Sequence, residues 1–279
     1  MSTASEASEA ADWWATSICR MAPGVVELRG IPVQDLIGSA GFVSTIWLMV
    51  RGSLPAPREA ALLEAAMVAS VDHGPQAPSI AIARMAATCG VGLNNAMASG
   101  VNALGDSHGG AGEQCVELLS AIVSLEDSGE SLDAATEQAV ARYRYVPGFG
   151  HRFHPVDPRR APLLDLVDHA VADGVVAGRH VRAARAVESL LNEGRAKPVP
   201  MNIDGATAVI YAELGFPPPL ARGLFVLSRS VGILAHAWEE IGQGRRNKGP
   251  IPRSILPTYL GEPPHATGSA ARPEPESSG

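Results

Sequence analysis

Aromatic side chains are scarce in this chain. Phe, Tyr and Trp make up 5% of 279 residues, whereas Gly alone contributes 29 and Ala is abundant. A core short of large rings must be filled by bringing backbones close together, which favours tightly packed helices. Cysteine is nearly absent: Cys19, Cys89 and Cys115 are odd in number and lack disulfide or metal spacing. Inert thiols in a reduced, cytoplasmic protein are therefore expected. Basic charge is also in short supply, with a formal net charge of -7 and no basic stripe, which argues against a nucleic-acid partner. No long apolar run is present either. Phe42 to Val50 is too short to span a bilayer, and Leu224 to Trp238 is broken by Arg229 and His236 and reads as a buried helix. The opening residues carry Glu6 and Glu9 without an apolar core, so neither a signal peptide nor a membrane partner is expected.

Hydrophobic residues nevertheless make up 46% of the chain, enough for a real core in one domain or one plus a small second one. Residues 1–11 read as a disordered lead and 261–279, rich in Pro, Ser, Gly and Ala, as a disordered tail. Between them apolar residues recur at helical spacing: Phe42, Ile46, Trp47 and Val50; Leu63, Ala66, Met67 and Ser70; Cys115, Leu118, Leu119 and Ile122. Leu220, Leu224, Leu227, Val231, Leu234 and Trp238 mark a long final helix, and Pro78 suits a first helical turn. One short extended piece, Val25 to Arg29, competes with this pattern. The expected fold class is all-α.

Four polar punctuations stand between the apolar helices: Asp72-His73-Gly74-Pro75, Gly105 to Ala111, Pro147 to Arg152, and Asn202-Ile203-Asp204-Gly205. Each sets an ionisable residue beside glycine, which lets a backbone approach a ligand closely. His108 precedes the start of the Cys115 helix, where a helix N-terminus would keep its ring neutral and able to polarise a carbonyl. Taken alone it serves equally as a helix cap. His151 and His154 lack a third ligand at sensible spacing, so no metal site is expected. The nearby Arg152, Arg159 and Arg160 suit an anionic substrate or, more plainly, a solvated loop. By position Asp204 is an N-cap and His73 a cap or a ligand donor. Arg229, mid-helix in an apolar stretch, needs an anion if buried. Gly90-Val91-Gly92 lacks the strand and third glycine of a dinucleotide site.

Together, and in this order, these motifs resemble the citrate synthase superfamily, most closely its short citryl-CoA lyase-type members and the C-terminal part of ATP-citrate lyase. The resemblance runs from about Gly24 to Gly261 and also covers Leu28-Arg29-Gly30, Arg51 to Pro55 and Ser228-Arg229-Ser230. It implies His108, His151 and Asp204 as catalytic residues. It implies His73, Arg159, Arg229 and Arg253 as substrate-binding residues, with Arg253 reaching the partner subunit's site, and Gly109, Gly148, Gly150 and Arg152 at the CoA. Gly112 stands where many relatives have Asn.

The resemblance further implies a large helical domain (22–140 and 215–260) after a flexible lead (1–21), interrupted by a small CoA-proximal domain (141–214) and followed by the tail (261–279). The protein would be a homodimer that takes acyl-CoA and a 2-oxo dicarboxylate as substrates and holds no permanent cofactor. The implied reaction is cleavage of citryl-CoA, or a close analogue, to acetyl-CoA and oxaloacetate through an acetyl-CoA enol. Condensation with a different 2-oxo acid is one alternative, and a non-catalytic CoA-ester-binding protein is another. No ATP-grasp or CoA-ligase pattern is present, so ATP-driven cleavage by this chain alone is not expected.

Overall fold

The computed structural model describes residues 9–150, 156–249, 251–252 and 254–262. Met1–Lys248 forms one compact unit and Gly249–Gly279 another. The first unit opens on an antiparallel meander of β1 (Cys19–Ala22), β2 (Val25–Leu28) and β3 (Ile31–Pro32). Ala22 pairs with Val25, and Leu28 pairs with both Cys19 and Ile31. The extended piece expected at Val25 to Arg29 is thus the middle strand of a small sheet. The two-residue connection Arg29-Gly30 has positive φ at both positions, 51° and 82°, the geometry that matches the twist of a tight hairpin.

The rest is helical: α1 (Val33–Leu36), α2 (Phe42–Arg51), α3 (Pro57–Ser70), α4 (Pro78–Thr88), α5 (Leu93–Asn102) and α6 (Ala111–Asp127). There follow α7 (Leu132–Val140), α8 (Arg160–Ala172), α9 (Arg179–Asn192), α10 (Ile203–Glu213) and α11 (Pro218–Gly242). Pro78 opens α4, where its missing N–H costs nothing. The main core joins α2, α3 and α6 to α10 with the start of α11, and a second cluster joins Ile80, Ala83 and Ala87 to Ala96, Ile233 and Ala237. α10 is the central element: Gly205 to Ala212 are all buried, as in a helix that is apolar all round.

The apolar faces expected on α3 and α6 are buried as read. Two expectations need correction. Phe42, the first residue of α2, is 81% exposed, one turn beyond the covered Ile46. In α11 the stripe Leu227, Val231, Leu234 and Trp238 faces outward, although Leu224 is fully buried. The buried face instead carries Ala221, Leu224, Ser228, Arg229, Gly232, Ile233, Ala237 and Glu240. Small residues there let backbones meet: a Cβ on Gly232 would collide with the Val71 carbonyl. By length and composition α11 could cross a membrane, yet it holds Arg229 and Glu240 in the protein interior.

Candidate active site

His108 sits in the turn before α6, closed by the Gly105 N–H donating to the His108 carbonyl at 2.8 Å. Its ring does not serve α6, whose N-cap is Gly110 and which has no side-chain cap. Instead it meets the start of α4. The Ser79 backbone N–H donates to Nε2 at 3.1 Å, and the Ser79 hydroxyl lies 2.9 Å from the same nitrogen. An amide N–H can only donate, so Nε2 accepts and the ring proton belongs on Nδ1. The positive end of α4 opposes a cation at this place. Burial, and then the charge of Arg229, push the His108 pKa below its ordinary value of 6.5. His108 is therefore a neutral imidazole with one N–H still to give. The neutrality read from sequence holds, but α4 supplies it rather than the Cys115 helix.

Two of the polar punctuations are zipped together beside α10. Phe149 pairs with Met201, Gly150 N–H donates to the Pro200 carbonyl at 2.7 Å, and Asn202 N–H donates to the Gly148 carbonyl at 2.9 Å. The Asn202 side chain donates to the Gly150 carbonyl at 2.7 Å and accepts from the N–H groups of Asp204 and Gly205 at 2.9 and 3.2 Å. Asn202, not Asp204, is thus the N-cap of α10. Gly148 needs to be glycine: its φ is +83°, and a Cβ would lie 2.7 Å from Cys115 Sγ and 2.8 Å from Gly205 Cα. Burial raises the Cys115 thiol and the Tyr211 hydroxyl well above their ordinary values, and the Asp204 charge adds to both shifts. His151 and Arg152 follow this zipped loop in sequence and lie outside the described residues, as does Arg253.

Arg229 is 6% exposed. Its Nε donates to the Ser70 carbonyl at 3.1 Å, and its guanidinium lies 4.9 Å from the centre of the Phe225 ring. Burial lowers its pKa; the charges of Asp204 and Asp72 act the other way, and that of Arg159 adds to the lowering. Among the described residues no carboxylate lies within ion-pair distance of its nitrogens. Arg159 is fixed differently. Asp157, 1% exposed, accepts from its Nε at 2.9 Å and Nη2 at 2.8 Å, and the Ala69 carbonyl accepts from Nη1 at 3.2 Å. One hydrogen on each terminal nitrogen remains for a ligand.

His73 is exposed, on a turn where the Gly74 N–H donates to Asp72 at 3.1 Å. Burial would raise the Asp72 pKa. The N–H groups of Gly74 and His73 and the His236 ring outweigh it, so the carboxylate lies below its usual range. Gly109, with φ of +96°, lies against Phe225 and Leu104. Among the described residues no group of three or more His, Cys, Asp and Glu side chains could hold a metal.

His108, Asp204, Arg159 and Asp72, from four separate stretches of chain, each interact electrostatically with Arg229. Sequence reasoning missed Ser79, Asn202 and Asp157 as the residues that hold them. Asn202 had a readable signal, a capping residue type just ahead of a small-residue helix. Ser79 had none, because its partner is 29 residues away.

Residues 39–254 match the family model described as citrate synthase, C-terminal domain. The glyoxysomal citrate synthase of Cucurbita maxima is 32% identical over 218 residues, 75% of this chain and 40% of that protein. The citrate synthase of Acidithiobacillus ferridurans is 28% identical over 220 residues, 77% of this chain and 54% of that protein. The chain thus spans about half the length of the curated relatives it matches. Among solved structures, citryl-CoA lyase from Hydrogenobacter thermophilus aligns with a TM-score of 0.80 and 32% identity, covering 90% of this chain and 96% of that one. ATP citrate lyase from Methanothrix soehngenii, solved with citrate and coenzyme A, shares the fold at a TM-score of 0.77 and 20% identity, over 94% of this chain and 45% of that one. The mostly helical frame agrees with this likeness: the chain belongs to the citrate synthase family.

Proposed function

We propose that this protein is a CoA-thioester carbon–carbon lyase that cleaves citryl-CoA, or a close analogue, to acetyl-CoA and oxaloacetate. The observation that carries the reading is a neutral His108 of fixed tautomer beside a buried Arg229 with which no carboxylate among the described residues pairs. A buried arginine of this kind calls for an anionic ligand. A neutral N–H donor suits the oxygen of a thioester as it becomes an enolate.

In this scheme His151 takes the proton from the substrate's tertiary hydroxyl. The carbon–carbon bond breaks, and its electron pair passes to the thioester as an enolate while the hydroxyl-bearing carbon becomes the ketone of oxaloacetate. His108 donates Nδ1–H to the enolate oxygen. Asp204, which takes up a proton from solvent before cleavage, delivers it to the enolate carbon and leaves a methyl group, and His151 returns the proton it took to solvent. Arg229, Arg159 and His73 hold the carboxylates of the oxo acid, and Gly109, Gly148, Gly150 and Arg152 line the CoA. The thioester is a substrate that acidifies the reacting carbon itself, so no step is routed through a metal or a redox group.

The lyase direction is supported by the structural likeness to a citryl-CoA lyase chain, 32% identical at a TM-score of 0.80. The condensing reading, with acetyl-CoA or another acyl-CoA and a different 2-oxo acid, is favoured by sequence relatives named citrate synthase. Segment 141–214 serves as the CoA-proximal domain in either case.

The proposal includes a cytoplasmic homodimer to which Arg253 contributes across the subunit boundary. The outward stripe Leu227, Val231, Leu234, Trp238 and Ile241 of α11, each 38% to 65% exposed, supports a second copy. The test is to supply citryl-CoA and follow oxaloacetate release, and in parallel to supply acetyl-CoA with a panel of 2-oxo acids and follow free thiol. Citryl-CoA cleavage, slowed about 10²–10³-fold in a folded His108→Ala variant, is the expected result. Thiol release without citryl-CoA cleavage selects the condensing reading. CoA-ester binding with no turnover in either assay reduces the chain to a binding protein.

A further inference from the structure

We propose that His236 is a positioning residue for the oxo-acid pocket, fixing through Asp72 the turn that carries His73; the inference rests on the reaction proposed above. His236 lies on α11 beyond Arg229, and its ring bridges two groups. Arg84 Nη1 lies 3.1 Å from Nδ1. A guanidinium can only donate, so Nδ1 accepts and the ring keeps its proton on Nε2. Nε2 in turn faces the Asp72 carboxylate, 3.3 Å from Oδ1 and 3.4 Å from Oδ2. Asp72 Oδ2 also accepts the Gly74 N–H at 3.1 Å, which closes the turn around His73. The ring therefore ties α4 to the His73 turn through one oriented line of hydrogen bonds.

The far end of that line is immobile. Glu240, with its side chain fully buried, receives Arg84 through Nε and Nη2, both at 2.6 Å, and Lys248 Nζ at 2.8 and 3.0 Å. Glu239 receives Arg84 Nη1 at 3.1 Å. Two carboxylates thus balance Arg84 and Lys248 without help from His236. Charge balance in the core gives the ring no duty; what it adds is the link to Asp72. It adds that link by donating Nε2–H, which holds the Asp72 carboxylate in place.

Three substitutions separate positioning from support of the fold. His236→Phe fills the space and breaks both bonds. His236→Asn keeps an acceptor for Arg84 but is too short for Asp72. His236→Gln can accept from Arg84 through its carbonyl and donate to Asp72 through its amide. Steady-state kinetics would be run on all three with acetyl-CoA and oxaloacetate, alongside thermal midpoints. The KM for oxaloacetate should rise about tenfold or more in the Phe and Asn variants, as for loss of a hydrogen bond to a charged group. The KM for the CoA ester should stay put, and Gln should restore most of the loss. Since Asn keeps the Arg84 contact, it decides the matter if the Phe variant does not fold. Folded Phe and Asn variants with wild-type oxaloacetate KM, or a Gln variant no better than Phe, overturn the inference. A wild type that neither turns over in this direction nor releases oxaloacetate from citryl-CoA sinks the proposed reaction instead. Calorimetric binding of oxaloacetate to the same variants then reads the positioning role, and no binding by the wild type overturns both.

Discussion

The two long faces of α11 differ in character: the buried face carries two charges among small and apolar residues, and the outer face exposes large apolar side chains. Its buried face holds Ser228, Arg229 and Glu240, while its outer face exposes Leu227, Val231, Leu234, Trp238 and Ile241. The inner charges have two different explanations. Glu240 is met by Arg84 and Lys248, so its burial is complete within the protein. Among the described residues Arg229 meets a backbone carbonyl and an aromatic ring and no carboxylate within ion-pair distance. The outer stripe repeats at four-three spacing, the pattern by which one helix packs on another. Under the proposed function the inner face awaits a small anion and the outer face a second helix.

The inner face is broken most severely at the carboxylate whose charge reaches it. Asp204→Asn keeps size and cannot disturb the cap of α10, because Asn202 holds that position. The variant should still bind CoA esters yet lose about 10²–10⁴-fold in both citryl-CoA cleavage and deuterium wash-in at the acetyl methyl, as for loss of a general acid–base group. Exchange is followed by NMR with an unreactive oxo-acid analogue bound. Exchange and cleavage at wild-type rates would remove Asp204 from the chemistry. Arg229→Leu should come next. Loss of one partner of a buried charge pair costs about 3–5 kcal/mol, so oxaloacetate affinity should fall by hundreds-fold or more while CoA-ester affinity holds. Unchanged oxaloacetate affinity by calorimetry would make Arg229 a structural residue.

The outer face is broken by charge. Val231→Glu together with Trp238→Glu places two carboxylates on the exposed stripe without entering either core cluster. If a second α11 covers that stripe, sedimentation should show a dimer shifting to monomer, with activity lost because each site lacks its partner's arginine. A wild type that sediments as a fully active monomer breaks the comparison on this side.

The contrast also explains what could be read from the sequence. Within one helix the periodicity of α3 and α6 identified residues that are buried, because neighbours on a helical face share an environment. His108, Asp204 and Arg229 were legible because glycine-flanked ionisable residues and a mid-helix arginine are locally odd. The facing of α11 was not legible: its apolar stripe satisfies the helical period, but which side meets the core depends on Gly232 lying against Val71. Nor was the partner of the His108 ring, or the line from Asp72 through His236 to Arg84, since those bonds join residues far apart in the chain. The β-meander was half seen, because strands this short carry too few residues for alternation to register.

The smallest expected effect tests how His108 is kept neutral, and so how the inner face of α11 is matched across the site. Two groups of Ser79 lie on Nε2, the backbone N–H and the hydroxyl. Ser79→Ala removes only the hydroxyl. If the amide fixes the tautomer, Nδ1–H stays available and the rate should fall only about 2–10-fold, the range of one neutral hydrogen bond of 0.5–1.5 kcal/mol. The sign of the pH effect follows from the ring. Protonation at Nε2 would set two N–H groups against each other, so the protonated form is the inactive one. Burial and Arg229 already place that protonation below pH 6.5. A hydroxyl donating to Nε2 favours the neutral form further, so its loss should move the acid limb of kcat/KM upward, toward 6.5. A limb that moves down would show that the hydroxyl accepts from the ring in the resting enzyme. A loss of a hundredfold or more would mean that the hydroxyl, not the helix amide, holds the catalytic tautomer.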